Sequence, residues 1–137
     1  MPKQPTPGSR KISLAVERGE AIDLLQRQLA TIRAIPTGPF LTTEGFREAA
    51  NDLRVWKDVT SEILRQISDS DQLATDFEDG ARLYARTLGG SLSDQVDDYR
   101  MECAKSHTSI TSVIERIKVI PEAARLTEVV PENWTGG

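Results

Sequence analysis

From Phe46 to Ile67 the apolar positions Phe46, Ala49, Leu53, Trp56, Thr60, Ile63 and Ile67 fall at alternating steps of three and four. That spacing is one face of an amphipathic helix, because a 3.6-residue turn returns every third or fourth side chain to the same side. Three further stretches show the same rhythm. Leu14, Ala15, Ala21, Ile22, Leu25, Leu29 and Ile32 predict a first helix over Ser13–Ala34, with Gly19 weakening its opening turn. Leu73, Phe77, Ala81, Tyr84 and Leu88 predict a third helix that stops at Gly89 and Gly90. Val96, Tyr99, Cys103, Ser106, Ile110, Val113, Ile117 and Ile120 predict a fourth, closed by Pro121.

The breaks have mechanisms of their own. In "IPTGPF" the two prolines lack amide donors and restrict the residues before them. Thr42 is placed to cap the second helix near Thr43, with Leu41 stapling onto Phe46. Asp69 and Gln72 have the spacing of a capping box for the third helix, and Ser91 or Ser93 caps the fourth. No window alternates as a half-buried strand does. The expectation is an all-α antiparallel bundle of about four helices over residues 12–121, between a disordered N-terminal arm (1–11) and an irregular C-terminal tail (122–137). Stripes of period near 3.5 predict shallow crossing angles.

Composition agrees with this: 137 residues, 38% hydrophobic and 28% charged, suit one domain with a core of aliphatic side chains. No run is apolar enough to span a bilayer and the N-terminus lacks a secretory pattern, so a cytoplasmic setting is expected. The single cysteine, Cys103, supports no internal disulfide. The net charge is −4 and the middle of the chain is acidic: Asp69–Glu102 holds nine Asp and Glu against three Arg. A nucleic-acid-binding face needs the opposite balance, so neither nucleic acid nor membrane is expected as a partner.

Candidate chemistry is sparse. Cys103 and His107, four apart on a helix, supply two metal ligands where zinc needs three or four, and nothing beside them lowers the thiol pKa. The preferred reading makes Cys103 a core residue. "DSDQLATDFEDG" is rich in carboxylates, but an EF-hand counted from Asp69 puts Leu73 fifth and Ala74 sixth, where an oxygen ligand and glycine are required. "LGGSLSDQ" has no Gly-Lys-Ser/Thr, and its aspartates repel phosphate. No catalytic residue, metal ligand or cofactor is therefore assigned. The apolar face of the second helix is wide, with Val55, Val59 and Leu64 beside the main stripe, and a wide face can touch two neighbours. Trp56, Val59, Leu64, Phe77 and Trp134 are the candidate interaction residues.

The run "FREAANDLRVWKDVTSEILRQISDSDQLATDFED" resembles helical N-terminal regions of certain bacterial proteins that carry a nucleotide-binding or TIR-like effector domain further along. The matching positions are Trp56, Ile63, Leu64, Ile67 and Phe77, and "SITSVIERIKVIPE" resembles the helix that closes such regions. The likeness covers about two thirds of the chain and departs at Ile67 and Ser68, where phenylalanine and glycine are frequent. What it implies is a helical accessory module. The expected function is thus a non-enzymatic interaction or oligomerisation module whose partner is protein, either itself or another chain. The alternatives are a small helical enzyme or ligand-binding bundle using His107, Cys103 or Tyr99 with Asp98 and Glu102, or a structural part of a phage or secretion assembly.

Overall fold

The computed structural model describes residues 12–83 and 90–122. They form four helices, α1 (Arg18–Ala34), α2 (Thr43–Ile67), α3 (Gln72–Ala81) and α4 (Leu92–Ile117). Among the described residues there is no strand, only two isolated bridges at Leu14. α1 and α3 each pack on both α2 and α4, which are the two long members. Consecutive helices run in opposite directions, so the chain is an antiparallel up-down-up-down bundle.

Two poles define the bundle. At the base, the segment before α1 is tied between the ends of α2 and α4. Leu14 N donates to Pro121 O (2.9 Å), Ala15 N to Ile67 O (2.8 Å), and Asp69 N to Ser13 O (3.0 Å). Leu14 is wholly buried there. The Arg18 guanidinium donates to Ile117 O (3.2 Å) and Ile120 O at the end of α4, where helical carbonyls run short of backbone donors. In return Glu122 Oε2 accepts from Arg18 N (3.0 Å), capping the free amides of α1.

At the opposite, apical pole the rings of Phe40, Phe46 and Tyr99 meet edge-to-face, with centroids 5.6–5.9 Å apart, joining the α1–α2 connection to α2 and α4. Tyr99 also donates to Pro36 O at 2.5 Å. Gly38, with φ +100°, makes the turn a residue with Cβ would resist.

Several local expectations are corrected. α1 begins at Arg18, not Ser13, because the backbone of residues 13–15 is spent on the basal bonds. Thr42 does cap α2, its hydroxyl accepting from Gly45 N at 2.9 Å. Leu41 does not staple, being 98% exposed; Phe40 takes the place against Phe46. Asp69 caps no part of α3: its carboxylate accepts from Ser13 N (3.0 Å), while Ser70 Oγ accepts from Gln72 N (3.1 Å). α3 ends at Ala81, with Arg82 extended and Leu83 buried. The third-helix positions Tyr84 and Leu88 lie outside the described residues, as do the N-terminal arm and the tail beyond Glu122.

The core stripe of α2 differs from the expected one at a single turn. Leu64 is fully buried, and Ile63 is only half-buried. Trp56 and Phe77 meet edge-to-face at 5.7 Å and join α2 to α3 at the centre. Lys57 fastens the same level from outside, donating to Glu102 (2.6 Å) on α4 and to Ala81 O (3.3 Å) at the end of α3.

Candidate functional site

Of the five residues singled out from sequence, three are core. Trp56 is 3% exposed, and Leu64 and Phe77 are fully buried, so none of them offers a partner its side chain without opening the bundle. Trp134 lies outside the described residues. Val59 is 45% exposed and belongs to a surface feature.

That feature is a row along α2: Asp52, Val55, Val59 and Glu62, at steps of three, four and three, all exposed. The two valines occupy the middle and the two carboxylates the ends. Beside the row runs a shallow groove of about 420 Å³, walled on the other side by Thr31, Ala34 and Ile35 of the α1 end. Its floor is rigid for a stated reason. Trp56 Nε1 donates to Gln28 O (2.7 Å), and Gln28 Nε2 donates to Thr60 Oγ1 (2.8 Å), locking α1 to α2. Burying the tryptophan ring while satisfying its N–H leaves Val55 and Val59 immediately outside the seam.

The other candidate chemistry resolves into structure. Cys103 is buried, and burial pushes its thiol above the ordinary range, which keeps it protonated and unreactive. Burial, and secondarily the Cys103 thiol, likewise raise the Tyr99 phenol. His107 is half-buried and accepts at Nε2 from Arg33 Nε of α1 (3.4 Å). Among the acidic residues of the α3 region, Asp76 pairs with Arg116 (2.5 Å) and Glu78 with Arg65 (2.8 Å). No three His, Cys, Asp or Glu among the described residues stand close enough to share a metal ion.

A wider concavity, about 800 Å³, lies between α2 and α4. One wall carries Arg54, Lys57 and Asp58; the other carries Asp98, Tyr99 and Glu102. Opposite charges face each other across it, and Lys57 and Glu102 already bridge the gap.

Searches against protein-family models, curated proteins and solved structures find no match. The reading of this surface therefore rests on its geometry. No described helix is long and apolar enough to cross a membrane.

Residues that composition and periodicity passed over include Ile35, Arg33 and Arg100. Ile35 and Arg33 stand at the end of α1, where a helical stripe gives no instruction about side grooves. Val55 carried a signal, since it widens the apolar face of α2 beyond what one neighbour covers.

Proposed function

We propose that this chain is a non-enzymatic helical interaction module, and that its partner is a helix laid along the α2 row beside the α1 groove. The observation that carries the reading is the Asp52–Val55–Val59–Glu62 row, with Val55 50% and Val59 45% exposed beside the core face of α2. An amphipathic helix docks by apolar anchors at this spacing. The acidic ends select a partner with Lys or Arg flanking its apolar positions. They also disfavour one α2 row lying on another: antiparallel pairing sets Asp52 against Glu62, and parallel pairing sets each carboxylate against itself. Like charges so placed cost affinity, so a second chain is favoured over a second copy. A cytoplasmic setting suits a lone free cysteine, and an accessory role beside an effector domain is what the sequence resemblance implies.

A designed helical peptide with leucines at matching steps and lysines at both ends tests the reading, titrated against Trp56 fluorescence in a Trp134→Phe background. The lysine peptide should bind saturably, its glutamate counterpart at least about tenfold more weakly, and Val55→Asp/Val59→Asp should abolish binding. Equal binding of both peptides, or retention in the double variant, overturns it. Light scattering at rising concentration should report a monomer; a stable dimer lost in the double variant would assign the row to self-association instead.

A further inference from the structure

A second groove, on the α1–α4 side, has a different chemistry. It encloses about 400 Å³ and is lined by Ile32, Ile35 and Cys103 below, with Arg33, Arg100 and His107 around them. No carboxylate is among its described lining residues. The contrast with the α2–α4 concavity is direct, since there Asp58, Asp98 and Glu102 would oppose an anion.

The basic side chains are held from behind. Arg100 Nε donates to Thr37 O (2.7 Å), and one of its terminal nitrogens lies 2.8 Å from where a Cβ on Gly38 would stand, so the guanidinium rests against the apical turn. Its nearest carboxylate, Asp97, is 3.9 Å away and more than half exposed, a weak competitor. Arg33 Nε donates to His107 Nε2 (3.4 Å), tying the two side chains together between α1 and α4. These bonds use the Nε of each arginine; the terminal nitrogens of Arg33 remain as donors in the fork geometry that matches an oxyanion, and Arg100 adds its charge from beside the apical turn. The buried, protonated Cys103 adds no charge to the floor.

We propose that this groove binds a small organic anion, its carboxylate or phosphate head between Arg33, Arg100 and His107 and its apolar body on Ile32, Ile35 and Cys103. The inference is independent of the α2 row, which lies on the α1–α2 side. Carboxylate and phosphate share the recognition chemistry, and the probes separate them.

His107 is the only histidine in the chain, so its ring resonances report the site without ambiguity. Full-length protein is titrated with hexanoate, butyl phosphate, acetate and inorganic phosphate, against sodium chloride at matched ionic strength. Saturable shifts of the His107 ring are expected, with hexanoate or butyl phosphate binding at least about threefold tighter than its own head group alone, as a few buried methylenes require. Whichever pair is tighter identifies the head. Arg33→Gln and Arg100→Gln should each weaken binding about fivefold or more, while Arg65→Gln, paired with Glu78 away from the groove, should not. Shifts that merely track ionic strength overturn the proposal, as does affinity equal to the parent's in the two groove variants. Because both variants replace exposed side chains, unchanged amide spectra away from the groove show that they fold.

Discussion

Gly80 offers a decisive test of how α3 is seated. A helix interior ordinarily favours alanine over glycine by about 0.5–1 kcal/mol, so Gly80→Ala would stabilise an isolated α3. In the bundle, however, a Cβ at position 80 would stand 2.5 Å from Ser109 Oγ and 3.2 Å from Ser109 Cβ. The first separation is shorter than any real contact, so Ser109 must rotate or α3 must lift from α4. Rotation breaks the bond from Ser109 Oγ to Phe77 O (2.9 Å), worth about 0.5–1.5 kcal/mol. Lifting α3 disturbs the packing of Phe77, and overpacking of this kind costs about 1–3 kcal/mol. Set against the propensity gain, either route leaves Gly80→Ala between a gain of about 0.5 and a loss of about 2.5 kcal/mol, short of the gain an isolated helix would show.

Ser109→Ala removes the offending oxygen. In that background the same Gly80→Ala change meets only the Cβ at 3.2 Å, which a few tenths of an ångström of adjustment relieves. It should then be neutral or stabilising. Urea unfolding of the four proteins in the cycle, followed by tryptophan fluorescence, should give a coupling of about 0.5–3 kcal/mol between the two sites, the cost of relieving the clash. If Gly80→Ala stabilises both backgrounds equally, α3 does not approach Ser109 as described, and the α3–α4 seam is wrong.

Three other outcomes follow from the same geometry. Ser106 is wholly buried with its Oγ unpaired, so Ser106→Ala should be neutral or raise stability by up to about 1 kcal/mol in urea unfolding; a loss above about 1.5 kcal/mol would reveal a hidden partner. Arg18→Met keeps the aliphatic stem but removes the donors to Ile117 O and Ile120 O, and should cost about 1–2 kcal/mol, with amide exchange accelerating at the basal pole before the apical one. Tyr99 is held neutral, its folded pKa raised by burial, so its contribution is complete below the ordinary phenol pKa of about 10 and is lost as pH rises above it. Urea midpoints measured from pH 9 to pH 11 should therefore fall more steeply for the parent than for Tyr99→Phe, and parallel slopes would contradict the buried setting.

The legible parts of the fold were those fixed by neighbours in sequence. The start of α2 followed from Thr42. What failed depended on residues far along the chain. Leu41 and Phe40 are equally plausible staples for Phe46, and Tyr99 from α4 selects Phe40 by packing on both rings. Asp69 has the spacing of a cap, but Ser13 competes for its carboxylate. Ile63 and Leu64 are adjacent on a helix and either continues a three-four stripe; only the neighbours placed by the fold choose between them. The same limit governs function. Trp56, Leu64 and Phe77 were prominent because they are large and periodic, which is what the core also requires. Val55 and Val59 are smaller and stand to one side, so their exposure becomes apparent only when α1 is seen to cover Trp56 and stop.

The basal ties bear on how such a surface could be used. Ile12 and Glu122, where the described chain enters and leaves, stand at the same pole, because Leu14 bridges both the end of α2 and Glu122. The α2 row begins well above that pole: Val59 precedes Ile67 by two turns, about 12 Å along the axis, and Val55 by about 18 Å. The Arg33–Arg100 groove lies further up, beside the apical turn. Residues 12 and 122 thus stand at the basal pole, below the two valines and the arginine groove. A partner helix on the α2 row and an anion in the α1–α4 groove would both contact α1 at its C-terminal half, on either side of Ile35, which lines both grooves. Ile35 is thus the shortest physical connection between the two proposed sites. Ile35→Ala should weaken peptide and anion together, whereas Val55→Asp/Val59→Asp should leave anion affinity unchanged; coupled losses in the valine variant would mean that the grooves are not separate sites.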